Sequence, residues 1–434
     1  MDSLVHPPAL DHDRLAALQR ISFNYFLAEC NEENGLIADR TRAGAPASIA
    51  AVGMALSAYP VAVARGFMSR KHARQRTLAT LRFFWNSPQG PEKDATGYRG
   101  FYYHFLDMRS GRRVWKCELS TIDTALLMAG VLTAGAYFRE DDEKDAEIRR
   151  LADALYRRVD WAWARNGHAA VTMGWRPERG FLPYHWTGYD EALILYVLGL
   201  GSPTYPLPGE SYAAWLSGNR WKKLYGREFL YAGPLFIHQM SHIWIDFRGI
   251  RDAFMREHGS DYFENSRQAA YVQRQYAIGN PRGFSGYHAN CWGITASDGP
   301  GPLTHVVGGR RRRFFGYRAR GVPFGPDDGT LSPWATVASL PFAPEIVLPA
   351  LRHFHDLGLK DDHRYGFTAS FNPTLGGSEE NPHGWQSPEH VGINQGPIAL
   401  MIENYRSDFL WKLMRGCPYI ADGLRKAGFC GGWL

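Results

Sequence analysis

The amino-acid sequence predicts an all-α fold, a single (α/α)6 barrel or toroid with long loops at one end. Two observations lead to this prediction. Apolar residues recur at three- and four-residue spacing through most of the chain, which indicates helices. Long segments rich in Gly, Pro and aromatic residues separate these helices, and loops of that length in a compact fold are usually functional. The inner helices of such a toroid run parallel, so we expect a site where their N-termini gather.

About a dozen segments carry the helical pattern, and no alternating strand pattern lies between them. The stronger segments are Asp11–Ala28, Ser48–Arg65, Ser69–Asn86, Thr121–Phe138, Lys144–Ala164, Tyr189–Leu200 and Leu235–His258. The weaker or shorter ones are Asp261–Ile278, Trp334–Leu340, Pro344–Leu357, Pro397–Asn404, Ser407–Met414 and Ile420–Lys426. Long loops are predicted at Ser87–Lys116, Asn166–His185, Gly279–Ser332 and Gly358–Gly396. We interpret residues 1–434 as one domain.

The amino-acid composition and net charge indicate which kinds of protein this chain can be. Of the 434 residues, 45% are hydrophobic and 14% aromatic, which is enough for a large core. The 14 Trp and 22 Tyr also suit surfaces that stack on sugar rings. The net charge is +6, but the most basic run, Gly309–Arg320, is short and isolated, so we expect no nucleic-acid partner.

Several other classes are disfavoured. The five cysteines are odd in number and lack CxxC spacing, which argues against a disulfide framework and against a zinc site. No nucleotide-binding glycine motif has a supporting strand and helix, so no cofactor is expected. The opening MDSLVHPPALDHDR lacks the features of a signal peptide, and no apolar run reaches the length of a membrane span. We expect a cytoplasmic protein, or a periplasmic one whose export signal is absent from this chain.

Two acidic residues precede or open the predicted helix in KCELSTIDTALLMAG. Ser120 and Asp123 have the spacing of a capping box, so Asp123 is expected to bind backbone N–H groups at the helix start. Glu118 lies before the cap, where its side chain can project into the mouth of a site. Glu118 is therefore a candidate catalytic residue, and Asp123 a substrate-binding candidate.

The stretch HWTGYDEALILYVLG repeats this arrangement. Thr187 and Asp190 again have capping-box spacing, so we expect Asp190 mainly to cap the helix, and it is also a substrate-binding candidate. Glu191 falls in the first helical turn, where the helix dipole favours its charged form. A general acid needs the opposite shift, which desolvation beside Trp186 and Tyr189 would supply. Glu191 is our candidate acid, and the two rings are candidate sugar contacts.

The stretch PLFIHQMSHIWIDFRGIRD places His238, His242 and Asp246 four residues apart, on one stripe of a predicted helix. Core histidines satisfied by hydrogen bonds are the common alternative. A metal site is disfavoured because no third ligand spacing supports it. We prefer a polar inward face that contacts sugar hydroxyls, with Arg248 as a further substrate-binding candidate or as the ion-pair partner of Asp252.

The later loops supply the remaining candidates. Tyr287 and Trp292 lie in the loop NPRGFSGYHANCWGITASDGPGP, where they either stack on a sugar or pack beneath the loop. Trp385 is a third aromatic candidate for substrate binding. In PDDGTLSPW, Asp328 has ordinary turn chemistry, but its position on a long loop makes it a weaker candidate base.

Several stretches in order carry a family resemblance: GFYYHFLDMRSGRRVWKCELSTIDTALLMAGVL, GYDEALILYVLGLGSPTYPL, PLFIHQMSHIWIDFRGIRD, GYHANCWGITASDGP and GPIALMIENYR. Over roughly residues 15–428 the chain resembles the bacterial "putative glucoamylase" family. That family includes the endo-β-1,2-glucanases of glycoside hydrolase family 144, and a similar domain occurs in cyclic β-1,2-glucan synthases. The resemblance implies an (α/α)6 catalytic barrel that hydrolyses β-1,2-linked glucan with inversion and without a metal.

The resemblance also implies a role for particular residues. The W-x-G-Y-x-E-A motif assigns the acid to Glu191, and the E-x-S-T-x-D motif covers Glu118 and Asp123. Two positions depart from the family pattern: Asn394 stands in INQGP, and Ala369 in GFTASFN, where aspartates are expected.

The expected function is hydrolysis of β-1,2-glucan or its oligosaccharides, with Glu118 or Asp328 as base. The alternatives are a transglycosylase on the same glucan, a glucan-binding protein that has lost activity, and a sugar epimerase.

Overall fold

The computed structural model describes residues 9–359 and 364–434. Residues 360–363 of the last long loop lie outside the described residues. So do residues 1–8, the first part of the opening stretch that lacks the features of a signal peptide. Within the described ranges the helices are α1 (Ala9–Ala28), α2 (Ile49–Ala64), α3 (Arg70–Asn86), α4 (Thr121–Tyr137), α5 (Glu143–Arg158), α6 (Leu193–Gly201), α7 (Gly209–Leu216), α8 (Ala253–Glu257), α9 (Tyr262–Gly279), α10 (Pro333–Ala338), α11 (Pro344–Asp356), α12 (Gly392–Ser407), α13 (Phe409–Arg415) and α14 (Pro418–Lys426).

The mainly helical character predicted from the sequence is confirmed, but the predicted helix Leu235–His258 is wrong. This segment forms two 3-10 turns, Leu235–His238 and Met240–Ile243, followed by buried irregular chain and the short helix α8. Gly249 has a φ of 73°, which a helix cannot accommodate. Every residue from 238 to 247 is buried, so the apolar spacing of this segment reflects burial on all sides and not one face of a helix.

Short strands lie in the loops, which the sequence argument did not predict. In the described ranges they are β1 (Ala47–Ser48), β2 (Gly97–Tyr98), β3 (Phe101–Tyr103), β4 (Phe105–Leu106), β5 (Leu119–Ser120), β6 (Gly174–Arg176), β7 (Gly180–Phe181), β8 (Trp221–Leu224), β9 (Arg227–Leu230), β10 (Ala296–Ser297), β11 (Thr304–Val307), β12 (Arg310–Arg313), β13 (Arg318–Ala319), β14 (Phe371–Asn372) and β15 (Trp385–Gln386). None exceeds four residues, too few for an alternating pattern to be recognised.

One sheet has five strands in the antiparallel order β2-β3-β5-β6-β7. Strand β5 leads directly into α4, so the sheet fixes the residues just before that helix. In register, Leu119 faces Tyr103 on one side and Trp175 on the other. Glu118 thus directly precedes a strand that is hydrogen-bonded to a neighbour on each side, and does not lie in the middle of a free loop.

Each central helix contacts the next one around a ring. Helix α2 packs on α4, α4 on α6, and α6 on the turn Met240–Ile243; that turn and α10 both contact α12, which returns to α2. Gln239 also donates from Nε2 to the carbonyl of Ala335 in α10, 2.5 Å away. Other helices form a second layer, with α1 on α12, α5 on α4, α11 on α10 and α14 on α6. The contacts therefore close a ring with helices packed around it.

Glycines allow the two most closely packed ring helices to approach. A Cβ added at Gly53 of α2 would lie 2.3 Å from the carbonyl oxygen of Leu126, and one at Gly130 of α4 would lie 2.2 Å from the carbonyl oxygen of Gly53. Both distances are far below van der Waals contact with rigid backbone atoms. A larger residue at either position would push α2 and α4 apart. Among the described residues, no helix combines the length and apolarity needed to cross a bilayer.

Candidate active site

A cavity of about 580 Å³ lies where the N-terminal ends of the ring helices meet. Ser48 and Ser120, the N-cap residues of α2 and α4, line it. Trp334 at the start of α10 and Asn394 in the first turn of α12 line it as well. The cavity therefore occupies the end of the ring where the helix arrangement predicts a site.

The cavity wall combines ionisable and apolar side chains. The ionisable residues are Asp39, Arg40, His104, Glu118, Asp123, Glu191 and Asp298. The larger apolar and aromatic ones are Phe105, Leu182, Trp186, Phe236, Tyr317 and Trp334. Carboxylates and rings of this kind match the hydroxyl groups and the apolar faces of a sugar ring.

Glu191 lies two residues before α6, partly buried in the cavity wall. Burial and the neighbouring charge of Asp190 raise its pKa to about 8, and Asp123 acts in the same direction. The helix begins at Leu193, so Glu191 is not in the first turn and desolvation outweighs any helix dipole. A carboxyl group that keeps its proton near neutral pH has the property a general acid needs.

Asp190 does not cap the helix as predicted. Its Oδ1 accepts hydrogen bonds from the backbone N–H of Ala192 at 3.0 Å and from Nε1 of Trp215 at 2.9 Å. The first bond forms a local turn ahead of α6, because the helix starts later than the capping-box spacing implied. Burial raises the pKa of Asp190 to about 7. These hydrogen bonds of Asp190 fix the turn that holds Glu191 at the cavity. Asp190 itself does not line the cavity.

Glu118 projects into the cavity, as its position before α4 suggested. Its Oε1 lies 2.9 Å from Nδ1 of His104, and its Oε2 lies 3.5 Å from Nη2 of Arg176. The hydrogen bond from His104 lowers the pKa of Glu118 to about 2 against the opposing effect of burial. Glu118 is therefore ionised throughout the neutral range, the opposite state to Glu191.

His104 also approaches Asp123, with Nε2 3.7 Å from Oδ2 of that carboxylate. Burial alone would lower the pKa of His104, but Asp123 and Glu118 together raise it to about 9. Asp123 further accepts the hydroxyl of Ser120 at 2.5 Å, while its own backbone N–H donates to that hydroxyl oxygen at 3.1 Å. Ser120 caps α4 as predicted, but the Asp123 carboxylate faces the cavity and the Ser120 hydroxyl instead of a backbone N–H.

Arg40 joins three segments of chain at the cavity wall. Its guanidinium lies 2.8 Å from Oδ2 of Asp39, 3.0 Å from Oδ2 of Asp298 and 3.0 Å from Oε2 of Glu389. These carboxylates belong to the loops before α2, after α9 and before α12. One cation thereby holds together loops that are distant in sequence but share the cavity.

The cavity lining includes five residues that were not predicted from the sequence: Asp39, Arg40, His104, Asp298 and Tyr317. A usable signal existed for two of them. Asp39 and Arg40 lie within ten residues of the cap Ser48, in a loop that precedes an inner helix. Asp298 and Tyr317 lie in the long loop predicted to be functional, but that loop offers too many polar residues for a choice from sequence alone.

Asp328 is not at the cavity, contrary to its candidacy as a base. Its carboxylate is fully buried in an ion pair with Arg320, with Oδ1 2.7 Å from Nε and Oδ2 2.9 Å from Nη2. The backbone N–H groups of Phe315 and Thr330 donate to the same carboxylate. All its acceptor sites serve the loop fold, so no access remains for a water or a sugar.

The predicted stripe of His238, His242, Asp246 and Arg248 does not reach the cavity. His238 lies 3.2 Å from the carbonyl of Ala232, and His242 3.0 Å from the hydroxyl of Ser266. Burial lowers the pKa of both rings, to about 4 and about 3. They are neutral core histidines, the alternative that the sequence left open.

Asp246 and Arg248 form an ion pair with each other, at 2.8 Å between Oδ1 and Nε. Asp246 also contacts Arg415, and Arg248 lies 3.1 Å from Asp408. The proposed pairing of Arg248 with Asp252 is therefore wrong.

The aromatic residues predicted to contact a sugar also differ in whether they reach the cavity. Trp186 lines the cavity and donates from Nε1 to the hydroxyl of Thr121 at 3.0 Å. Tyr189 packs in the core against His238 and Tyr262. Trp292 is fully buried.

Two further aromatic candidates belong to the loops and do not line the cavity. Tyr287 donates to Asp327 at 2.7 Å. Trp385 pairs with Asn372 in the two-stranded sheet β14-β15. Of the predicted aromatic contacts, Trp186 is thus the one that reaches the cavity.

Asn394 and Ala369, the two departures from the family pattern, both line the cavity. Asn394 is mostly buried in the first turn of α12, and Ala369 precedes β14. Neither side chain can carry a negative charge. The cavity consequently lacks two carboxylates that the resemblance would place in it.

Comparison with known proteins places this cavity in a family context. The sequence model of the family described as "Putative glucoamylase" matches residues 183–418, more than half of the chain. The chain belongs to this family. The matched part includes Glu191, Asp298, Tyr317 and Asn394, and Glu118 precedes it.

Solved structures support the same assignment. A "putative glucoamylase" from Bacteroides uniformis ATCC 8492 has 31% identity and a TM-score of 0.86, covering 99% of this chain and 100% of that one. An endo-β-1,2-glucanase from Chitinophaga pinensis, solved with sophorotriose and glucose, has 27% identity and a TM-score of 0.85, covering 98% and 99% of the two chains.

A curated relative adds a named activity. The exo β-1,2-glucooligosaccharide sophorohydrolase of Parabacteroides distasonis is 28% identical over 455 residues, which include 96% of this chain. This chain spans 58% of the length of that relative.

Proposed function

We propose that this chain is a glycoside hydrolase that cleaves β-1,2-linked glucan or its oligosaccharides. The observation that carries the proposal is that two glutamates line the same cavity and have pKa values shifted in opposite directions. Burial holds Glu191 protonated, with a pKa of about 8, and His104 holds Glu118 ionised, with a pKa of about 2. Opposite pKa shifts in two carboxyl groups of one cavity separate a general acid from a carboxylate that acts on water.

Glu191 is the proposed acid. As the glycosidic bond lengthens, its carboxyl proton passes to the departing oxygen, and the anomeric carbon gains oxocarbenium character. The glutamate then carries the negative charge, which its buried position disfavours, so the return of a proton after product release resets the site. This use requires the protonated form at working pH, and the raised pKa supplies it.

Glu118 is the proposed water-activating carboxylate. A water held by Glu118 adds its oxygen to the anomeric carbon and gives a proton to the carboxylate, so that water is split between the two products. Attack from the face opposite the leaving group inverts the anomeric configuration. Asn394 cannot accept this proton, so we assign the role to Glu118, whose carboxylate His104 holds ionised. General acid and base catalysis are each typically worth about 10²–10⁴-fold in rate.

The remaining wall supports a sugar ligand. Trp186, Phe236 and Tyr317 offer apolar surface for ring faces, and Asp39 and Asp298 offer acceptors for hydroxyl groups. The similarity to proteins that act on β-1,2-linked glucosides selects the linkage among possible glucans.

We also propose that the fold is one (α/α)6 catalytic domain over residues 1–434. The inner ring consists of α2, α4, α6, the two 3-10 turns, α10 and α12. Five α-helices and one segment of 3-10 turns give six inner positions, and the outer helices pack around them.

A glucan-binding protein without hydrolytic activity is the second candidate. Asn394 and Ala369 favour it, because both remove a carboxylate from the cavity. The test is incubation with linear β-1,2-glucan, with starch as control, followed by chromatography and a reducing-sugar assay. We expect shorter reducing products from β-1,2-glucan and little from starch. Redistributed chain lengths without new reducing ends would indicate transfer, and binding without product would indicate the second candidate.

A further inference from the structure

A second group of ionisable side chains lies outside the cavity, between the long loop after α9 and helix α11. His288 and Cys291 are the ends of a tight turn closed by backbone hydrogen bonds, with Cys291 N 3.0 Å from His288 O and His288 N 3.4 Å from Cys291 O. His353 extends from α11 to meet them. The potential ligand atoms of the three side chains all lie within 4.8 Å of one another, and the two Nε2 atoms are 3.2 Å apart.

We propose that His288, Cys291 and His353 form a binding site for a divalent transition metal of the zinc class. Two imidazoles and one thiolate are ligands that Zn²⁺ and Co²⁺ prefer, whereas Ca²⁺ and Mg²⁺ prefer oxygen. Zinc–ligand bonds of about 2.0–2.3 Å in a tetrahedron place the ligand atoms about 3.3–3.8 Å apart. The observed spacing needs only small side-chain movements to reach that geometry.

The three residues are buried to different degrees, which leaves one side of the site open for a metal ion to enter from solvent. Cys291 is fully buried, His353 is partly buried and His288 is exposed, so the site is closed on the thiol side and open on the His288 side. An incoming ion displaces the thiol proton to solvent, and water completes the fourth position. His288 Nδ1 accepts a bond from Asn290 N at 3.2 Å. Coordination through Nε2 moves the ring proton to Nδ1 and opens that weak contact.

Cysteine spacing alone does not predict this site. The cysteines lack CxxC spacing, and the turn has instead the pattern His-x-x-Cys, completed by a histidine 62 residues after Cys291 in the sequence. The only other such group among the described residues, Glu140, Asp142 and Asp145, is engaged by Arg70 and Arg74 and carries no similar inference.

The position of the site predicts a structural effect. A few residues after Cys291, the same loop supplies Asp298 to the cavity wall and to Arg40. A metal that binds the folded state would pin this loop to α11 and raise the free energy of unfolding. The ion would not take part in glycosidic cleavage, since none of its ligands lines the cavity.

Cobalt titration of the metal-stripped protein, residues 1–434, tests the proposal. We expect one equivalent of Co²⁺ to produce a thiolate-to-cobalt charge-transfer band and the visible bands of tetrahedral cobalt, and Zn²⁺ to displace both. Zn²⁺ should also raise the Tm. His288→Ala, at an exposed position, should abolish the bands and the rise in Tm while the far-ultraviolet circular dichroism is unchanged. Cys291→Ser should remove the charge-transfer band.

The control is Cys430→Ser, which removes an exposed thiol elsewhere and should keep both signals. The proposal is overturned if wild-type protein gives no charge-transfer band, or if the band survives in His288→Ala. It is also overturned if Cys430→Ser removes the band. Should Cys291→Ser fail to fold, the His288→Ala result decides. These readouts involve no glucan, so they are independent of the proposed hydrolase activity.

Discussion

His104 and Glu118 form a hydrogen-bonded ion pair at the cavity wall, with 2.9 Å between Nδ1 and Oε1. The two residues come from different segments, the loop between β3 and β4 and the residue before β5. The two side chains carry opposite charges: Asp123 and Glu118 together raise the pKa of His104 to about 9, and the hydrogen bond from His104 lowers that of Glu118 to about 2. Between these values Glu118 is a carboxylate with a defined orientation, as water activation requires.

Replacement of His104 should change the acid side of the pH–rate profile. In His104→Ala, Glu118 loses the donor that lowers its pKa, so protonation of Glu118 moves up from about 2 toward or above its ordinary value of 4.5. We expect kcat/KM to fall below pH 5 in the variant but not in the wild type. His305→Ala, at an exposed strand position, is the control and should match the wild type. If the acid limb of kcat/KM is unchanged in His104→Ala, ionised Glu118 is not needed for catalysis.

Glu191→Gln should remove nearly all hydrolysis, by about 10²–10⁴-fold, because the amide has no proton to donate. In the wild type the alkaline limb of kcat/KM should lie near pH 8, where Glu191 loses its proton.

Thermal stability supplies an independent readout for the same variant. The pKa of Glu191 is raised in the folded state, so its effect favours folding below about pH 4.5 and is lost as pH rises toward 8. Glu191→Gln should therefore have a higher Tm than the wild type at pH 9 and a similar Tm at pH 4. A variant with wild-type rate at pH 7 would contradict the assignment of the acid.

Asp190→Asn should shift the working pH of Glu191 without unfolding the turn. The asparagine Oδ1 can still accept from Ala192 N and Trp215 Nε1, so we expect a Tm close to that of the wild type. The neighbouring negative charge, which helps to raise the pKa of Glu191, is absent. The alkaline limb should consequently move to lower pH.

Asp190→Ala is the companion variant, since it removes the acceptor as well. It leaves the buried indole N–H of Trp215 without its partner, at a cost of about 1–3 kcal/mol in the free energy of unfolding. Urea unfolding compares the two variants. Equal stability losses in both would mean that the charge, and not the hydrogen bonds, holds the turn.

Much of the helical framework could be predicted from sequence because it depends on local patterns. The caps Ser48 and Ser120 and the apolar spacing of α2 and α4 follow from neighbouring residues alone. The same local logic placed Glu118 and Glu191 beside helix starts, and both line the cavity.

The parts that could not be predicted depend on contacts between distant segments. Arg40 and Asp298 are 258 residues apart, and neither has a local pattern that announces the pair. The segment with His238 and His242 failed for a different reason: complete burial gives apolar residues at every spacing, so periodicity cannot distinguish 3-10 turns from a helix.

Chelation should leave catalysis intact. Glu191 and Glu118 need no metal to split a glycosidic bond with water. We therefore expect kcat at 25 °C to be unchanged after treatment with EDTA and gel filtration, even if the Tm falls through loss of a metal at His288, Cys291 and His353. Loss of kcat that Ca²⁺ or Zn²⁺ restores, with the protein still folded, would contradict this expectation.

Asp328 provides the last test, because the sequence offered it as a base and the structure buries it. Asp328→Asn leaves the guanidinium of Arg320 without its charged partner in a fully buried position. Breaking such a pair by removing one partner typically costs about 3–5 kcal/mol. We expect a loss of that size in urea unfolding, with kcat of the folded protein at low temperature kept within a few-fold. Asp94→Asn breaks an exposed pair with Arg112 and should cost about 0–1 kcal/mol. If Asp328→Asn instead keeps wild-type stability and loses kcat, Asp328 replaces Glu118 as the candidate base, and the ion pair with Arg320 must open during the reaction.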